Sequence, residues 1–466
     1  MVATIGVFAM GLEAYWAQFP GMRENVLGQH ERFVAKFKSQ NVITTGLVDT
    51  PARARDAASR FRQAGVDLLV GHLTTYASSE SLLQLLRELP GIPVLLANVQ
   101  SVPALDLDRV ETIGDWLGAG CTCAGLPEMT AVLRRAGRTF AVLSGYLEGD
   151  TVLDSELAQW CAATGAAARL RSGNIGLLGR PYAGMMDLNL DETHIFERFG
   201  CQVHHLNWED LASLVAGGFD SAALQAAGAR VRAVFDLPPG CTESDIAEIS
   251  AVLLAAERLV AEHRLVALAN HFETQPTAAL GMVLAASNPV FSLLMRDGVA
   301  CPVEADVKVA IAMTVLKVVG GSATLAELYS MDFTRDVCLI GHSGAADPMI
   351  ATERGTLRKS AVFHGKPGGG FLTQFSPTLG PVTLLSLTQD SDGDYRFVVA
   401  EGDVVPGKVL HLGDTNAPVR FRQGVRAFID AWAYRGPTHH ATLGRGHHAA
   451  VLAKAAKLLG VPIESV

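Results

Sequence analysis

The feature that most limits the fold of this chain is a repeated exchange between short apolar runs and longer amphipathic stretches over its first 145 residues. The runs have the length and β-branched content of strands, and the stretches between them have the spacing of helices. The predicted strands are Ile5 to Met10, Asn41 to Val48, Val66 to Val70, Pro93 to Ala97 and Phe140 to Leu143. Strands that alternate with helices favour a parallel sheet covered by helices, so we expect an α/β domain.

A second α/β unit is predicted to begin after a helix at Val152 to Leu170. Asn174 to Leu178 has the pattern of a strand, and Gly179 to Gly184 favours a structural turn, because no Lys-Ser or Lys-Thr pair completes a phosphate-binding loop. Beyond residue 335 the pattern changes to hairpin-like strands. We therefore expect two flavodoxin-like or Rossmann-like parallel-sheet domains and a C-terminal domain rich in antiparallel strands. The predicted boundaries are 1–171, 172–320 and 321–466.

Charge and composition exclude several classes of partner. The 466 residues carry a formal net charge of −9, and Lys and Arg are scattered, so we expect no nucleic-acid partner. The charge-free run from Thr274 to Met295 is long enough for a membrane span, but Gln275, Pro276, and Ser287 to Pro289 break or solvate such a helix. The seven cysteines are odd in number and favour a reducing compartment. We therefore expect a cytoplasmic protein without a membrane partner.

The last third of the chain contains the acidic candidates for chemistry. Glu304 precedes an apolar predicted helix, where it is either a buried charge that needs a partner or a carboxylate that complements the helix dipole. Glu327 and Asp332 follow near the domain junction, and each alone would suit a surface acid or a cap. His342 ends an apolar run, so its imidazole either faces a cleft or is a satisfied core histidine.

The histidines of the C-terminal region are the second set of candidates. Four of the fourteen lie within ten residues, at His439, His440, His447 and His448. The second pair suits a helix N-terminus, and the first pair favours metal or substrate binding. Two carboxylates and two imidazoles suit Mn²⁺, Co²⁺ or Mg²⁺ better than a thiolate zinc site. Such an ion can polarise a carbonyl and a neighbouring hydroxyl while a carboxylate moves a proton, as aldose-ketose interconversion requires.

These residues resemble the L-fucose isomerase and L-arabinose isomerase superfamily of sugar isomerases. Glu304-Ala-Asp306 is similar to the family's Glu-x-Asp segment, and three later segments are similar to other parts of its motif set: Asp332-Phe-Thr334, Gly341-His342 and Gly436-Pro-Thr-His-His440. The resemblance implies a divalent metal held by Glu304, Asp332, His342 and His440, with Glu327 as the alternative second carboxylate. It also implies that Glu304 and Asp332 are the catalytic pair and move a proton through a cis-enediol.

The resemblance also implies where the sugar binds. The segment from Gly179 to Glu192 is similar to the opening of the family's second domain, so Met185 or Met186 would line the pocket, and His439 would orient its loop or contact the substrate. In the family, the N-terminal loops cover the active site of a neighbouring subunit. In this chain these loops depart from the family pattern. The aromatic candidates for sugar packing there are Tyr15, Trp16 and Tyr76.

The resulting hypothesis is a metal-dependent isomerase of an unphosphorylated sugar, acting in carbohydrate metabolism with a site between the second and third domains. Mn²⁺ is the expected ion, with Co²⁺ or Mg²⁺ as alternatives, and the resemblance implies a homo-oligomer, either a trimer or a hexamer. Two other classes stay open. One is a non-catalytic sugar-binding protein, and the other is a metal-dependent lyase or hydrolase that acts on a sugar derivative.

Overall fold

The computed structural model of this protein describes residues 3–38, 40–120, 122–271, 278–363 and 366–466. The chain divides into two compact units, Met1–Ala168 and Arg169–Val466. The predicted fold class is confirmed, because both units contain parallel sheets flanked by helices and the C-terminal part is rich in antiparallel strands. The three-domain boundaries at residues 171 and 320 remain a prediction.

The N-terminal unit is built on a five-stranded sheet in the order β2-β1-β3-β4-β5, with every pair parallel. This is the flavodoxin-like order, one of the two parallel-sheet types that the sequence analysis left open. Its strands are β1 (Thr4–Met10), β2 (Asn41–Val48), β3 (Leu68–Leu73), β4 (Val94–Gln100) and β5 (Phe140–Tyr146). Its helices are α1 (Ala14–Gln18), α2 (Met22–Val34), α3 (Pro51–Ala64), α4 (Ser79–Arg87), α5 (Ile113–Gly120) and α6 (Gly125–Arg135), with a 3₁₀ turn at Leu107–Arg109; α7 (Thr151–Arg171) continues into the second unit.

Helix α3 shows how local sequence fixes these boundaries. The Thr50 hydroxyl accepts a hydrogen bond from the Arg53 amide at 3.2 Å, Pro51 occupies the first turn, and Gly65 ends the helix in a left-handed conformation. The buried face of the helix packs Phe61 into a core shared with Phe8 and Leu69. Because α3 and its neighbours cover the central strands, every residue of β3 is buried.

The second unit begins with a smaller parallel sheet in the order β7-β6-β9. Its strands are β6 (Asn174–Leu178), β7 (Val203–Leu206) and β9 (Leu265–Asn270), and the two-residue strand β8 (Phe235–Asp236) lies between them in the chain. The helices of this part are α8 (Glu192–Phe199), α9 (Trp208–Ala216), α10 (Ser221–Val234), α11 (Glu243–Glu262), α12 (Ala278–Arg296) and α13 (Val307–Gly320), with a 3₁₀ turn at Met186–Leu188. The glycine turn after β6 is confirmed, since Gly179 has φ +89° and a side chain there would meet the His271 carbonyl at 2.6 Å.

The C-terminal part is a closed antiparallel barrel. Six strands pair in the order β14-β17-β10-β11-β16-β15, and β15 pairs back to β14, while a last strand joins β15 in parallel. The barrel strands are β10 (Thr324–Asp332), β11 (Val337–Ser343), β14 (Gly380–Gln389), β15 (Tyr395–Val404), β16 (Asp414–Phe421), β17 (Ala441–Arg445) and the added β18 (Ile463–Ser465). The hairpin β12 (Gly355–Phe363) and β13 (Lys366–Gln374) pairs with β8, a 3₁₀ turn lies at Pro348–Ile350, and α14 (Val425–Tyr434) and α15 (Ala449–Leu459) complete the chain. Because the barrel is closed, each of its six strands is hydrogen-bonded to a neighbouring strand on both sides.

Helix α13 begins at Val307 with Asp306 as its N-cap, so Glu304 lies in the loop before the helix, as the sequence analysis indicated. One detail of α12 differs from the sequence prediction. Helix α12 continues through Pro289, which we expected to break a helix; residues 274–277 of the same run lie outside the described residues. Within the described part of the chain, no helix is both long enough and apolar enough to span a membrane.

A buried pair of histidines lies in the N-terminal unit. The His72 ring is fully buried and stacks on Phe33 with 4.3 Å between ring centroids, and its centroid lies 5.6 Å from that of His30. His72 Nε2 donates to the Val99 carbonyl, so its Nδ1 is left to accept from His30 Nδ1 at 3.4 Å, and His30 Nε2 is within 3.2 Å of the Thr44 hydroxyl. Burial lowers the pKa of His30 to about 4 and that of His72 to about 3. Both rings are therefore neutral in the folded chain.

We expect this pair to make the chain sensitive to acid. Unfolded histidine binds a proton near pH 6.5 and the folded pair does not, so the unfolding free energy falls between pH 6.5 and about 4, by about 2 kcal/mol per histidine at pH 5. Urea unfolding at pH 7 and pH 5 measures the loss. The double variant His30→Gln/His72→Gln keeps polar side chains at both positions but has no imidazole there to titrate, so it should lose much less stability over the same pH interval. An equal loss of unfolding free energy in the parent protein and the double variant would show that His30 and His72 are not the source of the acid sensitivity.

Candidate metal centre

The barrel register brings together four side chains of the types that bind metal ions. On strand β10, Glu327 lies opposite Gly341 of β11, and His342 is the next residue. On the other side of β10, Ala326 lies opposite Ala441 of β17, and His440 directly precedes that residue. Glu304 comes from the loop before α13. The site therefore combines three neighbouring strands of the barrel with one helix entrance.

The distances between these side chains suit a shared cation. His440 Nε2 lies 3.4 Å from Glu304 Oε2 and 4.0 Å from Glu327 Oε1, and His342 Nε2 lies 3.9 Å from Glu327 Oε2. Two groups have ligand atoms that all lie within 4.8 Å of one another: Glu327, His342 and His440, and Glu304, His439 and His440. We call Glu304, Glu327, His342 and His440 the ligand cluster. Its composition, two carboxylates and two imidazoles, is the set that the sequence indicated for a divalent ion.

Each histidine of the ligand cluster is oriented through its other ring nitrogen. His440 Nδ1 lies 3.0 Å from Asp306 Oδ2, and both side chains are fully buried. His342 Nδ1 donates to the Ser343 carbonyl at 2.7 Å. Both rings therefore direct Nε2 into the cluster, which is how proteins usually fix an imidazole for metal binding.

The backbone that carries Glu304 is held in an uncommon conformation. Glu304 and Ala305 have φ values of +61° and +58°, the left-handed region that costs energy for residues with a side chain. The Ala305 amide donates to the Asn270 carbonyl at 2.9 Å, and the Asn270 side chain donates to the Pro302 carbonyl at 2.9 Å. Asp306 then caps α13 by accepting from the Val309 amide. These contacts keep the Glu304 carboxylate directed at His440.

Two buried polar atoms mark the place where a cation would fit between these groups. Within the described residues, neither Glu304 Oε2 nor His440 Nε2 has a hydrogen-bond partner, although both are buried and they face each other. Such atoms are costly to leave unsatisfied, and a metal ion bonded to both would satisfy them.

The electrostatics of the ligand cluster also favour positive charge. Burial disfavours the imidazolium form of His440, but the neighbouring carboxylates of Asp306 and Glu304 raise its pKa to about 9. Burial alone would raise the pKa of Glu304, and the His439 and His440 imidazoles hold it well below its usual range instead. Burial raises the pKa of Glu327. A bound divalent ion would take the place of the His440 proton.

His439 lies at the edge of the ligand cluster. Its Nε2 is 3.9 Å from Glu304 Oε2 and 3.8 Å from Glu327 Oε1, and its Nδ1 is 2.6 Å from Asp187 Oδ2. Its side chain is 33% exposed, whereas that of His440 is fully buried. The structure thus brings both histidines of the predicted pair to the site, in different environments.

The structure does not bring Asp332 to the ligand cluster. Asp332 ends strand β10, and its Oδ1 accepts from the Thr334 and Arg335 amides at 3.0 and 2.9 Å in the turn toward β11. Asp332 lies five positions along the strand from Glu327, which is roughly 16 Å in extended backbone. Glu327, the alternative that the resemblance left open, provides the second carboxylate of the cluster.

The predicted substrate-binding residues lie in both units. In the N-terminal unit Tyr15, Trp16 and Tyr76 pack against Met22, Val26 and Leu117. Trp16 Nε1 donates to Asp49 at 2.7 Å, and the Tyr76 hydroxyl donates to Glu128 at 2.8 Å. In the second unit, Met185 precedes the 3₁₀ turn and Met186 is 79% exposed. Sugar binding by these residues stays a prediction.

Sequence reasoning missed the residues that orient the ligands. Asp306 was included only as part of the Glu-x-Asp segment, although an Asp directly before an apolar helix is a typical N-cap. Asp187 and Asn270 carried no signal, because each acts on a residue far away in the chain.

Comparisons with known proteins add a family relation for part of the chain. Residues 322–462 match the family model described as L-arabinose isomerase C-terminal domain. This range includes Glu327, His342 and His440, and the match supports an isomerase related to the arabinose isomerases. No curated protein matches the chain. Among solved structures, a probable maltose operon transcriptional repressor, malR, from Staphylococcus aureus is similar at 11% identity, covering 64% of this chain and 94% of that one, with a TM-score of 0.14, which is too low to support an inference.

The two candidate carboxylates can be separated by matched amide variants. Glu327→Gln should weaken Mn²⁺ binding, measured by titration calorimetry, by at least about 10-fold, because it removes the charge of one ligand. Asp332→Asn keeps an oxygen acceptor in its turn and should bind Mn²⁺ like the parent protein. The opposite ranking would assign the second carboxylate to Asp332.

The role of Asp306 can be tested against another helix cap. Asp306→Asn keeps an oxygen that can cap α13 but places an amide against His440 Nδ1, so we expect Mn²⁺ affinity to fall by about 10 to 100-fold. The control is Asp220→Asn, because Asp220 caps α10 in the same way through the Ala223 amide at 2.8 Å. Equal Mn²⁺ affinity in both variants would show that Asp306 only caps its helix.

Proposed function

We propose that this chain is a metal-dependent aldose-ketose isomerase that acts on an unphosphorylated sugar. The observation that carries the proposal is the convergence of Glu304 and Glu327 with His342 and His440, where two buried polar atoms lack a hydrogen-bond partner among the residues that the structure describes. The match of residues 322–462 to the L-arabinose isomerase C-terminal domain supports the same reaction class. Mn²⁺ is the ion that we propose, with Co²⁺ or Mg²⁺ as alternatives.

All four residues of the ligand cluster are proposed to bind the ion. Glu304, Glu327, His342 and His440 would bind it, with Asp306 and the Ser343 carbonyl fixing the two imidazoles. When bound, the ion supplies Lewis-acid polarisation of two neighbouring sugar oxygens. The protein residues provide the orientation and the proton transfer.

Proton transfer is assigned to the carboxylates. One carboxylate removes the proton from C2 of the open-chain aldose, the carbonyl oxygen at C1 gains a proton, and a cis-enediol results. The hydroxyl at C2 then loses its proton as C1 is protonated, so the ketose has the same mass as the aldose. Glu304 and Glu327 suit this role because both approach the same nitrogen, His440 Nε2. They can therefore reach adjacent carbons of one substrate.

The proposed assembly follows from the resemblance to the arabinose isomerases. Tyr15, Trp16 and Tyr76 would complete the site of a neighbouring subunit in a trimer or hexamer, and Met185 and His439 would contact the sugar from the same subunit. We propose a cytoplasmic location, since a reducing compartment suits free cysteines. The six cysteines that the described residues include are free.

A panel of four- to six-carbon aldoses tests the reaction class. We expect one or more to be converted to the ketose with Mn²⁺, and chelator to abolish the conversion. At saturating Mn²⁺, Glu304→Gln should lower kcat by roughly 100-fold or more, because it removes a group that transfers the proton. Glu192→Gln, which changes an exposed carboxylate outside the cluster, is the control.

Product mass separates the reaction classes. A ketose of unchanged mass supports isomerisation, whereas loss of water or a cleaved product would identify a lyase or hydrolase of a sugar derivative. Binding of sugars without any conversion, in protein that holds Mn²⁺, would favour a sugar-binding protein. Full activity of Glu304→Gln would exclude that residue from catalysis.

A further inference from the structure

The loop after strand β6 contacts the edge of the ligand cluster through one carboxylate. Asp187 lies in the 3₁₀ turn Met186–Leu188, and its Oδ2 accepts from both the His439 amide at 3.0 Å and His439 Nδ1 at 2.6 Å. Because one oxygen bonds both groups, it fixes the backbone and the ring of His439 together. These residues are 252 positions apart in the chain.

This contact determines which nitrogen of His439 faces the cluster. With Nδ1 bonded to Asp187, Nε2 points to the carboxylates of Glu304 and Glu327 at 3.9 and 3.8 Å. The ring lies against His440 with 3.9 Å between centroids. The His439 side chain is partly exposed, so a molecule that approaches the cluster can reach its ring, whereas the His440 side chain is fully buried.

The loop that carries Asp187 is itself held by a buried cation. Lys308 lies in the first turn of α13, is 2% exposed, and donates to the Asp187 and Asn189 carbonyls at 2.5 and 2.7 Å. A buried ammonium is costly unless its hydrogen bonds are satisfied, and these carbonyls satisfy two of them. Burial lowers the pKa of Lys308, and the nearby carboxylates of Asp306 and Asp187 oppose that shift.

The first turn of α13 therefore orients both histidines. Asp306 contacts His440 directly, and Lys308 acts on His439 through the loop and Asp187. Both residues lie on one rigid element, so the two imidazoles keep a fixed relation to each other. A loop attached only at its ends would not give this constraint.

We propose that Asp187 is a positioning residue, anchored by Lys308, that holds His439 so that its Nε2 binds a hydroxyl of the sugar beside the metal site. The sugar contact rests on the proposed isomerase function, while the orientation of the ring does not. His439 is the residue that meets the substrate, and Asp187 acts only through it.

Kinetics and metal binding together test this role. Asp187→Leu removes both hydrogen bonds, and the Asp187 side chain is 41% exposed, so the fold should tolerate the change. We expect kcat/KM for the converted sugar to fall by about 10 to 100-fold. Mn²⁺ affinity should stay within about twofold of the parent protein, the scatter expected for uncoupled sites. Asp187→Asn, which keeps an oxygen acceptor, should restore part of the activity.

The matched control is the exposed pair of Glu192 and His205 in the same unit. Glu192 Oε1 lies 2.6 Å from His205 Nε2, and neither residue belongs to the ligand cluster. Glu192→Leu thus removes a histidine-carboxylate contact of similar length and should leave kcat/KM unchanged. An equal loss in Glu192→Leu and Asp187→Leu would overturn the proposal.

A double-variant cycle shows whether Asp187 acts through His439. If it does, Asp187→Leu adds no further loss in kcat/KM to His439→Gln. Multiplied losses would overturn the proposal, as would a loss of Mn²⁺ affinity as large as the loss of activity.

A spectroscopic measurement tests the orientation without a substrate. In protein with isotope-labelled histidine, the Nδ1 proton bonded to Asp187 should give a downfield resonance that is absent in His439→Gln and Asp187→Leu and present in Glu192→Leu. If no resonance depends on Asp187, the positioning role is wrong. If no sugar is converted but this resonance depends on Asp187, the proposed isomerase function fails and the orientation stands.

Discussion

The hydrogen bond between Asp306 and His440 connects the parts on which the candidate site depends. The same carboxylate caps α13 and orients a ligand that precedes strand β17, so the helix entrance and the barrel are joined by one fully buried side chain. The two residues just before Asp306, Glu304 and Ala305, are held in left-handed conformations. A loop with so little conformational freedom gives the ligand a fixed position before any ion arrives.

The local sequence pattern was sufficient to predict a helix or strand where the residues within that element determine its bounds. Strands β2 and β6 were predicted with the bounds that the structure has, and helix α7 within one residue at each end, because apolar spacing acts within a few residues. The segment from Gly365 to Gly370, whose four glycines and one proline favour a loop or turn, shows the limit of this reasoning. Gly365 lies outside the described residues, and Lys366 begins strand β13, whose pairing with β12 compensates for its glycines.

The candidate site could be predicted by residue type, and less well by position. His342, His440 and Glu304 come together as expected, since their types and order indicated a divalent ion. The choice between Glu327 and Asp332 depended on barrel register, because only the strand pairing shows which acid lies beside His440 and which one caps a turn. The roles of Asp187 and Lys308 could not be predicted for the same reason, because contacts between distant segments leave no periodic pattern in the local sequence.

Barrel closure also sets the order in which this site can assemble. Glu327 and His342 lie on the directly paired strands β10 and β11, but His440 joins them only when β17, near the end of the chain, inserts between β10 and β14. During synthesis the N-terminal unit can fold first, but His440 emerges only after more than four hundred residues have been made. An ion therefore cannot guide the early steps of folding through this site. Its tight retention would instead mark chains in which the barrel has closed.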